Sequence, residues 1–182
     1  LNLKVCDPAM GSGHFLAGAI DFLVSSYRTK WSDENNDDID EPVEATARKV
    51  LLNSIYGVDL NPRAVKLAKM SMWLSTASAG EKLACTSKRL LSGDSLVKNM
   101  TGYSSSYSWN KLFKKEKFEG FDFVIGNPPY IDSELMTATQ PEVRDYITSN
   151  YETASGNWDL YVPFFELGFD ILKKGVENYT FV

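Results

Sequence analysis

At 182 residues, 43% of them apolar and 24% charged, the chain has the size and composition of one globular domain with an ordinary core. Collagen, low-complexity disorder and a disulfide scaffold are excluded, no apolar run approaches the ~20 residues of a membrane helix, and two cysteines (Cys6, Cys85) fit the free thiols of a cytoplasmic protein. The net charge is −5, yet seven acids crowd into residues 33–44 and the remainder stands at +2, so any nucleic acid is gripped mainly by something else.

Leu3 to Asp7 is a short apolar run stopped by Pro8, which predicts a buried strand and then a Gly-rich turn. In Asp7-Pro8-Ala9-Met10-Gly11-Ser12-Gly13 the two glycines let backbone pass close to a ligand and swing into a helix. A pyrophosphate clamp needs a third glycine at position 16, where Leu16 stands. Asp7 suits a ligand with a cationic amine, although a turn that binds nothing reads the same. Phe15 to about Tyr27 predicts a helix with Phe15, Ala19, Phe22 and Leu23 on one face. Ser32 to Pro42 predicts a solvated acidic loop, and Val43 to Asn53 a second helix.

Ile55 to Asp59 reads as the second strand. A carboxylate at its end can accept both hydroxyls of a ribose; it equally suits the dipole of the next helix. That helix starts at Asn61-Pro62 and runs to about Ala79, with Ala64, Leu67, Ala68 and Leu74 on one face. Lys88 to Gly93 is a weaker strand ending at Asp94, which can accept from a purine amine or simply form a turn. Residues 98–119 read as polar loop. Phe121 to Ile125 is the fourth strand, stopped by Gly126-Asn127-Pro128-Pro129. The prolines Pro128 and Pro129 freeze the backbone and remove two N–H donors. What is left, the Asn127 side-chain oxygen, the Pro128 carbonyl and the Tyr130 ring, suits a planar –NH2 group on a ring. A structural Asn-Pro turn is the alternative. Residues 131–157 read as irregular, Leu160 to Lys174 as a helix burying Tyr161, Phe164, Phe165 and Leu172, and Val176 to Val182 as a fifth strand. His14 is the only histidine and has no partner at ligand spacing, so neither a metal site nor a Ser/His/Asp set is expected.

Strand and helix alternate five times, which predicts a parallel sheet with helices on both faces and ligands at the carboxyl ends of the strands. Every polar motif falls at such an end. Both termini of the sequence read as interrupted within or beside a strand, the pattern of a fragment of a larger polypeptide.

Together, Asp7 to Leu16, Gly57-Val58-Asp59-Leu60-Asn61-Pro62, Gly126 to Tyr130 and Asn157-Trp158-Asp159-Leu160-Tyr161 resemble the N6-adenine DNA methyltransferases in which the cofactor motif precedes the catalytic one. Among these the sequence is most similar to the methyltransferase region of type IIG restriction–modification enzymes. The resemblance runs from Leu3 to the end. It implies a Rossmann-like class I S-adenosylmethionine-dependent α/β fold, truncated before its last strands. The chain would be a partial catalytic domain over residues 1–182, with the target-recognition domain elsewhere. The implied activity is methyl transfer from S-adenosylmethionine to N6 of a flipped adenine in double-stranded DNA, in a restriction–modification system whose full-length chain can carry a nuclease. By that likeness Asp7, Ala9, Met10, Gly11, Ser12, Gly13 and Phe15 hold the methionine end of the cofactor. Asp59 takes the ribose, Leu60 packs on the adenine, and Asp94, with Ser95 beside it, takes the amino group. Asn127, Pro128, Pro129 and Tyr130 form the catalytic motif. The family often has Cys where Met10 stands, a position where backbone makes the contact. Two other readings stay open: methylation of a glutamine amide on a protein, and a non-catalytic cofactor-binding scaffold.

Overall fold

The structure, a computed structural model, describes residues 3–35, 48, 52–74, 88–175 and 179–181. Its strands are β1 (Val5–Asp7), β2 (Ile55–Asp59), β3 (Leu90–Ser92), β4 (Phe123–Gly126) and β5 (Tyr179–Phe181). They pair in parallel in the order β3-β2-β1-β4-β5. Val5 is opposite Ile55 on one side and Phe123 on the other, so β1 is the central strand and the order reverses beside it. Among β1 to β4 only β2 keeps its full predicted length; Phe121, for example, makes a single bridge to Leu172 instead of extending β4.

Successive residues of a strand point to opposite faces, and both faces are covered. Val5, Ile55 and Leu90 enter one apolar cluster with Leu16, Ile20, Val24, Val65, Ala68 and Met72 from α1 (His14–Asn35) and α2 (Pro62–Leu74). Cys6, Tyr56, Val58 and Val124 enter the other, with Trp109 and Leu112 of α3 (Trp109–Glu116) and Phe164, Leu167 and Ile171 of α6 (Tyr161–Ile171). Cys6 is a buried free thiol. Between β4 and α6 lie α4 (Ser133–Thr139) and α5 (Pro141–Asn150).

Several expectations need correction. The α1 helix continues to Asn35 and takes over the start of the segment read as acidic loop. Its buried stripe is Leu16, Ile20 and Val24, whereas Phe22 is 71% exposed. Two apolar stripes compete in that sequence, and the one in phase with the turn at Gly13 faces the sheet. In α2 the buried positions are Val65, Ala68 and Met72, with Leu67 and Leu74 exposed. In α6 the inward set is Phe164, Leu167 and Ile171, with Tyr161 and Phe165 only half-buried. Residues 109–116, read as loop, form α3, because Trp109 and Leu112 bury one side of an otherwise lysine-rich turn. Residues 131–157, read as irregular, contain α4 and α5. The rest of the acidic stretch to Pro42, most of 43–53, residues 75–79 and Cys85 lie outside the described residues. Among the described residues no helix is long and apolar enough to cross a membrane.

Candidate active site

The turn after β1 is tied down by its own backbone. Asp7 is 1% exposed, and its Oδ1 accepts from Ala9 N at 2.9 Å. Burial pushes its carboxyl up to about 7; the Ala9 N–H opposes this and the nearby charge of Asp59 adds to it. Met10 N donates to Val58 O (3.1 Å) and Gly13 N to Met10 O (2.8 Å). Gly11 and Gly13 have φ of +53° and +85°, a region L side chains rarely adopt. A Cβ on Gly13 would also stand 3.0 Å from that of Ala68, so this glycine lets α1 approach α2.

Asp59 at the end of β2 is locked from both sides, Oδ2 accepting from Gly11 N and Oδ1 from Asn61 N, each at 2.8 Å. Each oxygen can accept once more. Asn61 in turn accepts from Arg63 N through Oδ1 (2.9 Å), which opens α2 as its sequence predicted. After β3, Asp94 accepts from Leu96 N (Oδ1, 3.0 Å) and from the Tyr103 hydroxyl (Oδ2, 2.9 Å). Burial pushes this carboxyl above its ordinary range, and those donors with Val97 N oppose it. Ser95 is buried and its hydroxyl donates to Pro8 O (2.5 Å), joining the loops after β1 and β3.

After β4, Asn127 is exposed, Pro128 is buried, and Tyr130 stands 68% exposed with its ring centroid 5.5 Å from that of Tyr161. The segment that follows is braced by the Asn157–Tyr161 stretch. Leu160 N donates to Ile131 O (2.7 Å), Ser133 N to Trp158 O (3.0 Å), and Ser133 Oγ to Asn157 Oδ1 (3.0 Å). Asp132 caps α4 by accepting from Leu135 N at 2.7 Å.

These strand ends open onto one cavity of about 410 Å³. Of the expected residues its wall contains Ala9, Asp59, Leu60, Asp94, Ser95, Asn127 and Pro129. Asp7, Met10, Gly11, Ser12, Gly13, Phe15, Pro128 and Tyr130 are not on that wall. Met10 is buried in the core, and Ser12 Oγ lies 2.9 Å from His14 Nδ1. The apolar side of the cavity comes from Ile131, Met136, Val143, Ile147, Leu160 and Phe164, with Gln140 at its edge, and most of these lie in the segment read as irregular. Asp132 as a cap, Pro141 at a first helical position and the Val143/Ile147 pair were the available signals. A larger opening of about 630 Å³, lined by residues within 91–115, contains no motif residue. The cavity with chemistry therefore has carboxylates at the ends of β2 and β3, a carboxamide at the end of β4 and a greasy wall opposite. That set of acceptors suits a polar, ring-bearing ligand with hydroxyls and an amine to give.

Residues 53–180 match a family model described as Eco57I restriction-modification methylase. The chain is similar to an adenine-specific methyltransferase, PglX, of Streptomyces coelicolor: 28% identical, over 95% of this chain and 15% of that protein. It is also similar to the type II restriction enzyme and methyltransferase RM.Eco57I of Escherichia coli: 26% identical, over 96% of this chain and 19% of that protein. Among solved structures, the ATP-dependent Type ISP restriction-modification enzyme LlaBIII bound to DNA has the same fold, with a TM-score of 0.58 at 14% identity, over 94% of this chain and 12% of that one. The chain thus spans less than a fifth of the length of each.

Proposed function

The chain belongs to the Eco57I restriction-modification methylase family, and from that membership we propose that it forms the cofactor half and catalytic motif of an adenine-specific DNA methyltransferase. The observation that carries the reading is the one cavity that brings together Asp59, Asp94 and Asn127 from the loops after β2, β3 and β4, on either side of the loop after β1. Asp59 would accept the ribose hydroxyls of S-adenosylmethionine through its remaining lone pairs, Leu60 would cover the adenine, and Asp94 would accept its amino group. When bound, that cofactor supplies a methyl group already activated on a sulfonium. The nucleophile is the harder problem, because the N6 lone pair of adenine is delocalised into the ring. Asn127 Oδ1 and the Pro128 carbonyl would accept its two N–H bonds, favouring a tetrahedral nitrogen with a localised lone pair. Alignment then matters more than acid–base help. The face of Tyr130 would meet the positive charge that develops on the base. The base must leave the duplex to reach this ledge. The net charge of −5 supports a division in which other regions of the enzyme grip the DNA backbone.

The test is methyl transfer from labelled S-adenosylmethionine by the full-length enzyme, offered adenine-containing duplex DNA and, separately, a glutamine-bearing protein substrate. Label on N6 of adenine is the expected result. Label on the protein alone moves the assignment to a glutamine amide, and no binding of S-adenosylhomocysteine by the folded enzyme reduces the chain to a scaffold.

A further inference from the structure

Tyr103 belongs to none of the sequence motifs, and it lies nine residues beyond Asp94. The loop between them folds back on itself: Asp94 N donates to Ser105 O (2.6 Å), Tyr107 N to Val97 O (2.8 Å), and the Ser106 hydroxyl to Tyr103 O (3.1 Å). That return brings the Tyr103 hydroxyl to 2.9 Å from Asp94 Oδ2, while Leu96 N occupies Oδ1 at 3.0 Å. Leu96 N and the Tyr103 hydroxyl hold one oxygen each and Val97 N adds to them, so the carboxylate is restrained while its four lone-pair sites leave room for a further donor. The Tyr103 ring packs against the main apolar cluster, so the donor itself is anchored.

We propose that Tyr103 is a positioning residue for this cavity, fixing the Asp94 carboxylate so that the site selects a purine carrying an exocyclic amine over one without it. The proposal rests on the cofactor reading above and adds the residue that gives the pocket its choice of purine. Without the Tyr103 hydroxyl the carboxylate would be held only by the Leu96 and Val97 N–H groups, and its Oδ2 would meet the amine only part of the time.

The experiment is calorimetric titration of the full-length enzyme with S-adenosylhomocysteine and with its counterpart bearing unsubstituted purine in place of adenine. Wild type should favour the amine-bearing compound. Tyr103→Phe, which keeps the packed ring and loses only the hydroxyl, should weaken that compound about tenfold and leave the other within about twofold. Equal weakening of both compounds, or an undiminished preference, overturns the role of Tyr103 alone. A wild type that binds both compounds equally removes Asp94 as the amine acceptor, and one that binds neither overturns the cofactor reading itself; the Tyr103 proposal goes with either.

Discussion

The loops after β1 and after β4 meet at one cavity but are built in opposite ways. The first is closed by its own hydrogen bonds, with Ala9, Met10, Gly11 and Gly13 all giving their N–H groups to neighbouring acceptors. The second has two residues without an N–H directly after Asn127, and its shape is imposed by those proline rings and by the brace from Asn157, Trp158 and Leu160. The difference separates two tasks. The first loop spends its N–H groups on its own residues and on the end of β2. Under the proposed function, the second loop would accept hydrogen bonds from a substrate, and its prolines keep it rigid without consuming its acceptors. Substitutions in the first loop should therefore register mainly as stability, and in the second mainly as turnover.

The largest effect expected is for Asn127→Ala, a loss of methyl transfer on the order of 10²–10³-fold with S-adenosylhomocysteine binding retained, read by labelled-methyl assay and calorimetry. A variant that loses cofactor affinity in proportion would erase the distinction between the loops. Next comes Asp7. Its folded carboxyl, pushed up to about 7, holds a proton that the unfolded chain releases near pH 4. Wild type should therefore lose stability as pH rises from about 4 to 7 and level off above that. Asp7→Asn should lack this slope and gain up to about 4 kcal/mol on wild type at neutral pH, in urea melts across that window. Gly13→Ala should cost about 1–3 kcal/mol, since it meets both a positive φ and the Ala68 side chain, while the cofactor affinity of the folded fraction is unchanged. Smallest is Asn157→Ala, which leaves the buried Ser133 hydroxyl without its acceptor. It should cost about 1 kcal/mol in a thermal melt and lower kcat more than it raises the KM for cofactor.

The parts legible in the sequence are those where a local rule and the tertiary structure agree. Ile55 to Asp59 is a continuous apolar run buried on both faces, and it became β2 without loss. Asn61-Pro62 carries its own helix-start chemistry and α2 begins there. Asp59, Asp94 and Asn127 are legible because each polar residue stands at or just past the carboxyl end of a predicted strand, where ligands of such sheets bind. What stayed hidden depended on partners distant in sequence. Trp109 and Leu112 look like two stray apolar residues among lysines until the core that receives them exists. Val143 and Ile147 face a cavity wall that only β4 and α6 complete. Tyr103 matters through a single hydrogen bond made by a loop whose return no propensity encodes. The phase of α1 is not legible because several apolar side chains, Phe15 and Phe22 among them, stand on its outer side.

One consequence follows from the placement of β1 between β2 and β4. The seam along β1 and β4 is written in main-chain pairing, with small apolar side chains such as Cys6 and Val124 closing it on one face. Under the proposed function, a cofactor-binding half could be joined to a different substrate loop by an incoming strand of matching length and direction that also fills the apolar positions of Val124 and Ile125.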